Sequence, residues 1–68
     1  MHADRLIRMA NQIATYFSSY PHDEAVAGIT DHLKQFWEPR MLVTIKQHVA
    51  DGGTGLHGLV PEAVRRLS

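Results

Sequence analysis

The sequence predicts an all-α fold: a small three-helix arrangement plus a short C-terminal fourth helix. Three observations lead there. Apolar residues recur at intervals of three and four in three successive segments, the period that places them on one helical face. The three prolines, Pro21, Pro39 and Pro61, stand between or at the starts of these segments, where a missing N–H costs a helix nothing. No stretch combines sustained alternation with β-branched enrichment, so no strand is expected.

The first helix is expected over residues 4–19, with Leu6, Met9, Ala10, Ile13, Phe17 and Tyr20 as its stripe and Ile7 off it. Asp4 stands four residues before Arg8, the favourable order for a pair on a helix surface. Ser18-Ser19-Tyr20-Pro21 ends this helix, because the residue before proline is pushed out of the α region. Asp23 and Glu24 then put acid in the first turn of helix two, where the macrodipole favours it. Val26, Ile29, Leu33, Phe36 and Trp37 form its apolar stripe. Gly28 inside it costs about 1 kcal/mol relative to alanine; either a close approach by another backbone justifies it or it is simply tolerated. Glu38-Pro39 ends helix two and starts helix three, expected over Pro39–Ala50 with Met41, Leu42, Ile45 and Val49 on one side and Val43 on the other. Gly52-Gly53 is a strong stop. After a glycine-rich loop from Gly52 to Gly58, Pro61 to Leu67 reads as the final helix, docked by Leu59, Val60, Val64 and Leu67 and carrying a Glu62/Arg66 pair. The short links at Pro21 and Glu38 favour antiparallel neighbours, with the last helix laid across the first three.

Residues 1–68 make one domain, with no repeat, linker or low-complexity tract dividing them. A domain of this size buries only about 60% of its unfolded surface, and its core rarely supplies more than roughly 3–5 kcal/mol of net stability. With no cysteine, neither a disulfide nor a cysteine-based metal site can reinforce it, which leaves a partner. Seven Lys+Arg against seven Asp+Glu give zero formal charge. That removes the electrostatic footprint of a nucleic-acid or anionic-membrane binder. No apolar run approaches the roughly 20 residues of a membrane span, and no apolar signal segment opens the chain. A cytoplasmic location is expected.

Gly53-Thr54-Gly55-Leu56-His57-Gly58 matches G-x-G-x-x-G literally. It follows a helix rather than a strand and the sequence ends too soon after it, so it reads as a flexible helix stop and connector. The five histidines, His2, His22, His32, His48 and His57, never stand three or four apart, and no carboxylate pair completes a ligand set. Only His32 and His48, if helices two and three bring them together, remain as a possible pair. Ser18, Ser19, Thr30, Thr44 and Thr54 lack any nucleophile motif. Nothing catalytic, cofactor-binding or metal-binding is therefore assigned. The stronger candidates lie in Asp31 to Met41, which holds the only tryptophan. Phe36 sits on the stripe with Ile29 and Leu33 and fits core packing, whereas Trp37 and Arg40 are residue types enriched at interface hot spots. The candidate partner interface comprises Phe36, Trp37, Arg40 and Met41, joined by Ile7, Arg8 and Val43. A competing reading is a stand-alone helix-turn-helix module presenting Arg40, Lys46, Gln47 and His48 to DNA, which zero net charge and the apolar 41/42/45/49 face oppose.

Leu6-Ile7-Arg8-Met9-Ala10-Asn11-Gln12-Ile13, Asp31-His32-Leu33 with Phe36-Trp37-Glu38-Pro39-Arg40-Met41, Gly52-Gly53 with Gly55-Leu56, and Glu62-Ala63 together resemble one family. It is the small delta subunit of cytosolic NAD-dependent, molybdenum- or tungsten-containing formate dehydrogenases. The resemblance covers nearly the whole chain. It implies an accessory subunit of an oxidoreductase that converts formate and NAD+ to carbon dioxide and NADH. In such complexes an alpha subunit holds the bis-molybdopterin guanine dinucleotide and iron–sulfur clusters, while beta and gamma subunits carry FMN and further clusters to NAD. The resemblance further implies that the delta chain binds none of these groups and docks on the alpha subunit.

Overall fold

A computed structural model describes residues 3–67, which form four helices: α1 (Ala3–Phe17), α2 (His22–Phe36), α3 (Pro39–Ala50) and α4 (Val60–Arg65). No strand occurs among the described residues. The α3 bounds are those expected, whereas α1 stops at Phe17, short of residue 19. Its last turn is closed by Ser18, whose hydroxyl donates to the Thr15 carbonyl at 2.7 Å and so takes an acceptor the helix would have used. Tyr20 therefore falls outside α1 and is exposed.

Backbone geometry explains the other ends. Pro21 is extended (φ −53°, ψ 150°) and its carbonyl accepts the Ala25 N–H at 2.8 Å, which starts α2. Trp37 and Glu38 are both extended, and Pro39 follows as the first residue of α3. At the far end of α3 the Gly53 N–H reaches the His48 carbonyl at 2.9 Å and the Gly52 N–H reaches that of Val49 at 3.1 Å. This is the Schellman pattern, and Gly52 holds the positive φ, 119°, that it needs.

The core joins Leu6, Ala10 and Ala14 of α1 to Val26, Ile29 and Leu33 of α2, Ile45 of α3, and Val60, Ala63 and Val64 of α4. Met9, Ile13 and Phe17, at the centre of the expected α1 stripe, are only half-buried. The deepest line of α1 is Leu6-Ala10-Ala14, the first two from the expected stripe, and its two alanines let neighbouring helices approach closely. α1 packs on all three other helices, and so does α4, whereas α2 and α3 touch only marginally. The expected α2–α3 antiparallel pair is thus corrected. The two extended residues at 37 and 38 carry α3 away from α2, and α4 fills the space between them instead of lying across a finished bundle. Thr30 secures that placement: its buried hydroxyl lies 2.9 Å from the Val26 carbonyl and 3.0 Å from that of Ala63 in α4. Among the described residues no helix is long and apolar enough to cross a membrane.

Candidate docking surface

The stretch around Trp37 divides into parts that face opposite ways. Trp37 is 6% exposed and belongs to the core, while Phe36 is 67% exposed. The pattern pointed the other way for Phe36, which shared a stripe with Ile29 and Leu33. Phe36 lies in the last turn of α2, at the edge of the stripe on the His32 side, with the two rings 4.8 Å apart. Trp37 has already left the helix, and its extended backbone turns the indole inward. Met41 is half-buried against the core, and Arg40 is exposed at the start of α3. Val43, 66% exposed, points away from the core as expected. Ile7 and the exposed Arg8 lie on an outward face of α1, with Ile7 beside Gly55 of the loop. Of these seven residues Trp37 is buried, and the others lie on three different helices.

A largely apolar open groove of about 330 Å³ lies between α1 and α2, lined by Gln12, Ile13, Tyr16, Phe17 and His32. Sequence reasoning had left Tyr16 unused, although its 66% exposure makes it the aromatic wall of this groove. Tyr16, Phe17 and Tyr20 form a ring cluster, with centroids 5.0 to 6.3 Å apart. Gly28 makes it possible. A β-carbon there would sit 2.6 Å from Cδ1 of Phe17, inside the ring's van der Waals envelope. The close approach expected at Gly28 is therefore to a ring rather than to backbone. At one end of the seam the Tyr16 phenol raises the Tyr20 pKa above its ordinary 10.0, first by hydrogen bonding and then by charge, with smaller contributions from burial and Glu24.

The glycine loop is a bonded structure rather than the flexible connector expected. Asn11 on α1 donates from Nδ2 to the Gly55 carbonyl at 2.9 Å and accepts the His57 N–H at Oδ1 at 2.7 Å. One carboxamide thus pairs with the loop as a peptide group would, and it brings together two of the strings that carry the family resemblance. His48 Nε2 donates to the Thr54 carbonyl at 2.7 Å, and Gln47 donates to Asp51 at 3.1 Å. Two of the four side chains the DNA reading would use, Gln47 and His48, are thus engaged within the chain.

His32 packs on Phe36 while His48 holds the loop, so the two histidines serve different surfaces. His2 lies outside the described residues. Among those described, no group of three His, Cys, Asp or Glu side chains could hold a metal ion. Glu62 forms the expected bond with Arg66, at 3.3 Å, and also one at 2.9 Å with His22 that ties α4 to the start of α2. Asp4 and Arg8 do not form the expected pair.

Fold and surface together define a small all-α domain whose exposed aromatic side chains gather along one helix–helix seam. The model of the family described as NADH-dependent formate dehydrogenase delta subunit FdsD matches residues 5–64, and the chain belongs to that family. No curated protein and no solved structure matches it.

Proposed function

We propose that this chain is a non-catalytic accessory subunit that docks on the cofactor-bearing alpha subunit of an NAD-dependent formate dehydrogenase in the cytoplasm. The complex also holds beta and gamma subunits, and docking supports its assembly, its stability or the insertion of its cofactor. Membership of the delta-subunit family over residues 5–64 carries this reading. The exposed apolar side chains of Tyr16, Phe36 and Val43 support it, since a chain this small gains from covering them. Bis-molybdopterin guanine dinucleotide with molybdenum or tungsten, iron–sulfur clusters, FMN and NAD belong, in this reading, to the other subunits. With no cysteine, the chain offers no thiolate ligands for an iron–sulfur cluster, which supports placing the clusters in the other subunits. Binding to the folded chain stabilises it by RT ln(1 + [L]/Kd), about 2.7 kcal/mol at a hundredfold excess over Kd.

The test is affinity recovery of the tagged chain from cells co-expressing the formate dehydrogenase subunits, followed by assay of molybdenum or tungsten and of NAD-linked formate oxidation. An active, metal-containing complex is the expected result. A folded monomer that retrieves none of those subunits overturns the reading.

A further inference from the structure

The seam between α1 and α2 has a chemical character more specific than exposed apolar area. Glu24, Gly28, His32 and Phe36 follow one another at intervals of four along α2, so they run down one side of it. Gly28 abuts Phe17, and His32 faces the same groove as Tyr16. Glu24 stands one turn before Gly28 on that side, so a carboxylate lies toward the Phe17 end of the groove. The strip therefore begins at a carboxylate, passes the Tyr16–Phe17–Tyr20 ring cluster, and ends at the exposed Phe36. No lysine or arginine lines the groove. Aromatic faces carry negative quadrupole potential, and a carboxylate at their margin adds to it, so the strip favours a cation lying over the rings. Its floor, where Phe17 fills the space left by Gly28, offers an apolar slot beside that potential.

We infer that this seam is the docking surface for an amphipathic helix of the partner subunit, one that sets apolar side chains into the groove and an arginine or lysine over the Tyr16 and Tyr20 rings toward Glu24. An apolar helix face laid in such a groove is a recurring mode of recognition. The inference rests on the accessory-subunit reading and places its contact on α1 and α2 rather than at the start of α3. Because Tyr16 and Phe36 are exposed, replacing them leaves the core intact.

The experiment uses the alpha subunit purified from co-expression as the probe and measures its affinity for the full-length chain and for Tyr16→Ala, Phe36→Ala, Glu24→Lys, Arg40→Ala and Val43→Ala. Circular dichroism confirms that each variant is folded. Tyr16→Ala and Phe36→Ala are each expected to raise Kd about tenfold or more, as central aromatic contacts do. Glu24→Lys is expected to weaken binding several-fold at low salt, with the difference shrinking as salt rises. If the wild-type chain binds and the Tyr16 and Phe36 variants bind equally well, while Arg40→Ala or Val43→Ala weakens it, the seam is overturned and the accessory role stands. Unchanged or tighter binding by Glu24→Lys overturns the cationic character of the partner helix. Failure of the wild-type chain to bind the alpha subunit overturns the accessory reading and this inference together. A self-associated chain that Phe36→Ala converts to monomer identifies a second copy as the occupant, which overturns it as well.

Discussion

Asn11 does more for this fold than its half-buried, polar position in an amphipathic helix would indicate. Replacement by alanine leaves the half-buried His57 N–H and the Gly55 carbonyl without partners, and a lost acceptor of that kind costs about 1–3 kcal/mol. Urea unfolding of Asn11→Ala should show a lower midpoint with an unchanged slope. Gly28 gives a second test, with a sign opposite to the usual one. Glycine to alanine inside a helix ordinarily stabilises by about 1 kcal/mol, but here the new methyl meets the Phe17 ring, and a net loss of about 1–2 kcal/mol is expected. Adding Phe17→Ala should make Gly28→Ala favourable, a non-additivity that a double-mutant cycle reads directly. Tyr20 supplies the pH dependence. Its phenol is held above 10.0 chiefly by Tyr16, so its share of stability is complete below the unfolded pKa and is lost as pH rises through the higher folded one. Ultraviolet titration of Tyr16→Phe should find the Tyr20 transition moved down toward 10.0. Of these roles only a close approach at Gly28 was legible in the sequence, because each depends on which residue from another segment arrives beside Asn11, Gly28 or Tyr20.

Helix boundaries were far more legible, because caps act over a few residues. Pro39 at the first position of α3 and Gly52-Gly53 after its end bracket a helix with the expected bounds, and the Schellman bonds give the physical reason. The glycines in the loop that follows are not equivalent. Gly52 holds a φ of 119°, so Gly52→Ala should lower thermal stability by about 1 kcal/mol even though nothing obstructs the new methyl. Gly58 is equally open and has no positive φ, so Gly58→Ala should be neutral or slightly stabilising in the same melt. Which face each helix buries was only partly legible. The expected α1 stripe held Leu6 and Ala10, which are buried, but also Met9, Ile13 and Phe17, which are half-buried, and it left out the buried Ala14. Thr30 carries no motif in the sequence, yet its hydroxyl is a buried polar link between α2 and α4.

A radius of gyration of 10.6 Å matches the roughly 11 Å expected of a packed chain of this length. Trp37 is the largest side chain in the core. Trp37→Ala removes about 3–5 kcal/mol, comparable to everything a domain of this size has, and the isolated variant should lose its helical circular dichroism. Loss of partner binding by that variant would therefore report unfolding, whereas Phe36→Ala, one residue earlier, tests the surface. Helix number, punctuation and the family strings were all present in the sequence, because capping and helical period are local and the strings need only be read. Sequence patterns could not say that α4 separates α2 from α3, that Asn11 closes the glycine loop, or that Phe36 and Trp37 face opposite ways. Those outcomes turn on the path of two extended residues at 37 and 38 and on which helix arrives to cover each face. Contacts between residues some forty positions apart are decided only when the whole chain packs.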